Sequence, residues 1–142
     1  YTVKREKKLY LKLVAVEKDR TLHELNNMER ELFNSSIVGE LRNDAHKGKT
    51  PMYEQWNTLF FLSHQLIPSF MNIIENPKNG LRVEEQQICL LIRLRFKPKE
   101  ISVLTGMSLS SISNVRKKLL KRIFNIEKGS SRDFDKLLLE IQ

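Results

Sequence analysis

Between Ser110 and Arg122 the chain concentrates groups that can hydrogen-bond or carry positive charge: Ser110, Ser111, Ser113, Asn114, Arg116, Lys117, Lys118, Lys121 and Arg122. No Asp or Glu falls between Leu109 and Phe124. Hydroxyls, a carboxamide and cations in this mixture are not a covalent machine, since no nucleophile is paired with a base. They are the groups that read base edges and neutralise phosphates. Asparagine suits the edge of adenine and lysine that of guanine, so Ser113, Asn114 and Lys117 are the expected base readers. Lys99, Ser110, Ser111, Lys118 and Lys121 are the expected phosphate contacts. Arg116 and Arg122 can serve at either place, or cover apolar surface with their stems. About five cations each neutralising a phosphate predict that log K falls with log salt at a slope of about −4 to −5 per protomer.

These groups need a rigid carrier. Ile112, Val115, Leu119 and Ile123 recur at intervals of three and four, one apolar stripe on a helix over Leu109–Phe124. Upstream, PKEISVLTG, MS and LSSISNVRK from Pro98 to Lys117 follow the grammar of a helix-turn-helix. Ile101 and Leu104 point inward from the first helix, and Ser102 keeps the helices' closest approach small. Gly106 falls where the chain must reverse, a place for positive φ. The competing reading is a helical pair that packs only against protein, with a merely solvated basic face. Joint occurrence of two-helix spacing, turn glycine, stripe register and one-sided charge favours the DNA reading.

The elements around this pair follow from periodicity and punctuation. Val83–Leu94 reads as a preceding helix with Ile88, Leu91 and Ile92 inward, closed by Phe96. After Gly129-Ser130-Ser131, Ser131 is expected to cap a last helix, Arg132–Ile141, with Phe134, Leu137, Leu138 and Ile141 on one face. Asn76-Pro77-Lys78-Asn79-Gly80 is the clearest linker. Before it, Thr50-Pro51 reads as a cap and first-turn pair for a helix that Pro68 interrupts at Ile67. Tyr53, Trp56, Phe60, Phe61 and Phe70 in this part suggest a docking core rather than a ligand cage.

The first segment reads as a long helix from about Lys4 to Phe33, with a bend near Ser35-Ser36. Leu22, Leu25, Met28 and Leu32 form its stripe, with Leu11 and Val14 as an N-terminal extension. One helix cannot bury a stripe alone, so these four residues are expected either to pack on the rest of the chain or to pair two copies in a coiled coil, the second being favoured. The expected fold is therefore all-α. Residues 1–47 are a long coiled-coil-like dimerisation helix, 48–80 connecting aromatic-rich helices and a linker, and 81–142 a four-helix helix-turn-helix DNA-binding domain.

Charge supports the same assignment. Of the net charge of +8, residues 81–142 carry 13 Lys/Arg against 7 Asp/Glu, whereas residues 1–80 carry 12 against 10. The positive excess gathers in the half holding the basic helix, which favours nucleic acid over a generic acidic partner. Cys89 is the one cysteine; it rules out an intramolecular disulfide framework and reads as a small buried hydrophobe. His23, His46 and His64 are isolated, with no partner at metal-ligand spacing, so no metal site is expected, and no cofactor. Without a phosphate-binding glycine loop or an activated nucleophile, an enzyme is not expected. The basic opening VKREKKLYLK reads as a solvated helix end, or as the cytoplasmic flank of a membrane span lying outside this chain.

E-x-x-I-C-x-L-I-R-L-x-F, then E-I-S-x-L-T-G-M-S and S-S-I-S-N-V-R-K-K-L, resemble the four-helix DNA-binding domain of LuxR/GerE-type regulators over about Leu81–Ile141. Trp56 followed by L-I-P-S-F resembles, more closely, Bacteroidetes regulators that carry tetratricopeptide repeats, a membrane span and a coiled coil upstream. The resemblance implies a cytoplasmic, membrane-tethered or free transcriptional regulator with Leu109–Phe124 as its recognition helix. Double-stranded DNA and a second copy of the chain are the implied partners. Three departures stand out: Ser102 for the usual alanine, Val115 where many members have histidine, and Phe96-Lys97 in place of a glycine-containing turn. Two alternatives share the grammar: a sigma-factor-like promoter reader bound to RNA polymerase, and a coiled-coil scaffold that binds no DNA.

Overall fold

Long runs of helix-forming residues, punctuated by short Gly, Pro, Asn and Ser breaks, give an all-α chain. The computed structural model describes residues 27–141 together with Leu9. Within them, α1 (27–33) is followed by α2 (Ser36–His46), α3 (Tyr53–Leu66), α4 (Pro68–Ile74), α5 (Val83–Arg93), α6 (Pro98–Thr105), α7 (Leu109–Phe124) and α8 (Ser131–Glu140). No strand occurs among the described residues.

Breaks fall where local chemistry stops a helix. Ser35 Oγ donates to the Leu32 carbonyl at 2.6 Å, which closes α1 and produces the bend expected near Ser35-Ser36. Ile67 leaves helical geometry before Pro68, and Pro68 opens α4 at a position where no N–H is needed. The start of α3 differs from expectation. Met52, rather than Thr50, is the N-cap, because the Gln55 side chain reaches back to accept from the Met52 N–H at 2.8 Å. At α8 the cap is Ser130, one residue earlier than expected, paired reciprocally with Asp133.

The interior is one cluster running from Leu32 to Leu138. Leu32, Val38 and Leu41 enter it from the N-terminal helices, Phe70, Met71 and Ile74 from α4, and Ile88 through Leu94 from α5. The three segments assigned from the sequence therefore share a core over the described residues. Leu32 departs from its expected role: it is fully buried within this chain and is not free for an interchain seam. Met28 is exposed, and Leu22 and Leu25 lie outside the described residues. The aromatic-rich stretch divides. Phe70 is buried and Trp56 and Phe60 are partly buried, whereas Tyr53 and Phe61 face out.

Two arginines join the first helices to the helix-turn-helix. Arg93 on α5 is buried; it donates to Glu29 of α1 at 2.8 Å and to the Leu138 carbonyl of α8 at 2.7 Å, and lies over the Phe70 ring of α4. Arg42 on α2 donates to the Leu94 carbonyl at 2.8 Å and stacks on Phe33 and Phe96. These contacts satisfy the end of α5 and brace the turn that leads to α6. That turn uses Arg95 at φ 68° in the left-handed region where glycine is the easier residue. Phe96 repays it by inserting into the core.

Candidate nucleic-acid interface

α6 and α7 meet through a turn that several independent contacts hold. Gly106 takes φ 73° as its position in the turn requires. Ser102 Oγ donates to the Met107 carbonyl at 2.6 Å, which ties the first helix to the turn. Ser108 caps α7, its Oγ accepting from the Ser111 N–H at 3.1 Å. The hydroxyls of Ser110 and Ser111 lie 3.2 and 2.9 Å from the same oxygen. Both expected phosphate contacts are thus also parts of the cap.

α7 buries Ile112, Val115, Leu119 and Leu120, with Ile123 partly covered. Val115 faces the interior and offers no side chain to a ligand. Opposite the stripe, Ser110, Asn114, Lys117 and Lys121 are exposed at successive spacings of four, three and four, a single outward face. Ser113 is half-buried on its flank. Lys99, exposed in the first turn of α6, belongs to the other helix of the pair.

The five cations of α7 do not behave alike. Within the helix they have no acidic neighbour, but the fold supplies acids from elsewhere. Arg116 is only 12% exposed and is held by both oxygens of Asp135 on α8, with Nε to Oδ1 at 2.8 Å. Lys118 Nζ reaches Glu85 Oε2 on α5 at 2.9 Å. Arg122 lies 3.7 Å from the other Glu85 oxygen and donates to the Gly80 carbonyl at 3.1 Å. The expectation of five uncompensated cations is therefore corrected, because residues remote in sequence neutralise three of them. Lys121 pairs loosely with Glu127 at 3.4 Å, both well exposed, a contact of little energetic weight. Lys117 has no carboxylate in ion-pair range among the described residues.

Glu85 and Asp135 were not among the candidates, although each carried a signal. Glu85 stands three residues before Ile88 and seven before Ile92, an acid in an apolar register. Asp135 lies beside the inward Phe134 and four residues before Leu139. Glu85 is 1% exposed. Burial opposes its ionisation, yet the Arg82 N–H at 2.8 Å and the Lys118 ammonium outweigh it and hold its carboxyl below the ordinary value. Cys89 lies fully buried one turn further on, and burial, with the Glu85 and Asp135 charges, pushes its thiol far up. That suits packing and not reactivity.

An open cleft of about 290 Å³ lies beside the Arg116–Asp135 pair, lined by Ile92, Phe96, Pro98, Ile101 and Ile112 among others. Its one bidentate ion pair is already satisfied. No helix among the described residues is long and apolar enough to cross a membrane.

Fold and surface together define an all-α chain that presents a narrow cationic helix face. No family model matches the chain, and no curated protein or solved structure is significantly similar to it.

Proposed function

We propose that the chain binds double-stranded DNA sequence-selectively, as the output portion of a bacterial transcriptional regulator, with α7 in the major groove. The observation that carries this reading is the outward face of α7: Ser110, Asn114, Lys117 and Lys121 in one exposed row. The row backs onto a helix whose other side is fixed in the core. A B-form major groove admits one helix of this width, and its base edges present the donors and acceptors that a carboxamide and an ammonium can pair. Asn114 and Lys117 read bases, with Ser113 at the flank. Lys99, Lys121 and the capped Ser110–Ser111 turn contact phosphates. Arg116 is withdrawn from the contact set by Asp135.

Dimerisation on paired half-sites belongs to the same proposal. It runs through Leu22, Leu25 and Met28 and leaves Leu32 in the core. The reaction is non-catalytic, and the setting is the cytoplasm, where the chromosome lies.

Selection from a random duplex library tests the reading. Recovered duplexes should share a half-site, and Asn114→Ala with Lys117→Ala should weaken binding to it by about 30-fold or more, at about 1–3 kcal/mol for each of two good base contacts. Undiminished affinity of the double variant would remove both residues as readers. Recovery of no common sequence would remove selectivity.

A further inference from the structure

Resting on the DNA-binding reading, we infer that Glu85 is a specificity-determining residue: it holds Lys118 and Arg122 against the protein and so keeps two of the five α7 cations off the phosphates. Attraction between a cationic helix and DNA is mostly blind to sequence, and each phosphate neutralised adds to binding at every site equally. A recognition helix with five free cations would bind all duplexes tightly and discriminate poorly. Taking cations out of that total, while leaving Asn114 and Lys117 exposed, raises the ratio of specific to non-specific binding.

The geometry supports an active restraint. Glu85 is all but inaccessible and spends both oxygens on partners. Oε1 accepts from the Arg82 N–H at 2.8 Å and lies 3.7 Å from Arg122, while Oε2 takes Lys118 at 2.9 Å. Lys118 and Arg122 are four residues apart, on one edge of α7, and each keeps about 40% of its side chain in solvent. Their stems therefore cover the edge while their charges are answered from below. Arg122 is further fixed by the Gly80 carbonyl, at the end of the linker that enters α5. A phosphate competing for Lys118 would have to strip a buried carboxylate of its nearest cation, leaving it the Arg82 N–H and the more distant Arg122, which is costly. Asp135 acts in the same sense on Arg116, whose guanidinium is more deeply buried than Lys118 or Arg122.

Salt titration of binding to a random-sequence duplex tests the inference. On a random duplex Lys117 has no matching base to read and joins Lys99 and Lys121 at the phosphates, so the wild-type slope of log K against log salt should be about −3 per protomer. Glu85→Gln keeps an acceptor for the Arg82 N–H but removes the charge, and should steepen the slope by about 1 to 2 while narrowing the preference for the selected site. Lys118→Ala with Arg122→Ala leaves the slope at its wild-type value, and this arm decides the matter if Glu85→Gln does not fold. An unchanged slope in folded Glu85→Gln overturns the inference, as does a loss of about 1 to 2 in the double variant, because both would mean that the pair is not withheld. Failure of the wild type to retard any duplex at low salt is a different result: it overturns the DNA-binding reading itself.

Discussion

α5 and α7 share the core but place their charges differently. On α5, Glu85 and Arg93 are both buried, and every residue from Ile88 to Arg93 is inside. On α7, only one stripe is buried and the cations lie around it. The buried charges of α5 each serve another element: Glu85 answers α7, and Arg93 answers α1 and α8. The cations of α7 separate into those that α5 and α8 hold and those left for a partner. A charge on this chain is thus structural or available according to what faces it across the core, not according to its own helix.

The largest effect expected from this contrast is at Arg93. Arg93→Met leaves the partly buried Glu29 and the buried Leu138 carbonyl without their donor, and should cost about 3 kcal/mol of unfolding free energy in urea titration, the low end for breaking a buried pair. A loss within experimental scatter would mean that α1 is not braced through Arg93.

Next comes Glu85. Its carboxyl pKa is depressed in the folded chain below the ordinary 4.5, so its contribution to stability is complete above that pH and is lost as pH falls through the lower folded value. Glu85→Gln should lower stability at neutral pH by about 1.5–3 kcal/mol, the range for a hydrogen bond to a charged group. The variant should also flatten the acid limb of the stability profile measured by chemical denaturation. Parallel acid limbs in the two proteins would deny Glu85 that role.

Smallest is the effect of the outward face on folding. Asn114→Ala with Lys117→Ala should change stability by no more than about 0.5 kcal/mol, since neither side chain is anchored within the chain. A larger loss would move both residues from the available to the structural group.

The all-α architecture and the stations of the helix-turn-helix were legible from periodicity and punctuation. The stripe Ile112, Val115, Leu119, the reversal at Gly106 and the interruption at Pro68 all stand where spacing and backbone chemistry require them. Those features are local, since a helix repeats every few residues and a turn is set by the residues within it. Cap positions shifted by one or two residues at Met52 and Ser130, because a side chain three residues along competes for the same N–H groups.

What only the tertiary structure decided is the fate of the charges and of one leucine. Arg116 and Asp135 are 19 residues apart, and Lys118 and Glu85 are 33 apart, so no helical periodicity could pair them. Leu32 looked like part of a seam between two chains because its stripe continued upstream; the close of α1 at Ser35 turned it into the interior instead. Sequence determines which face of a helix is apolar, through a period read within one turn. Which acid meets which cation depends on how helices lie across a core, and that is set by packing many residues away.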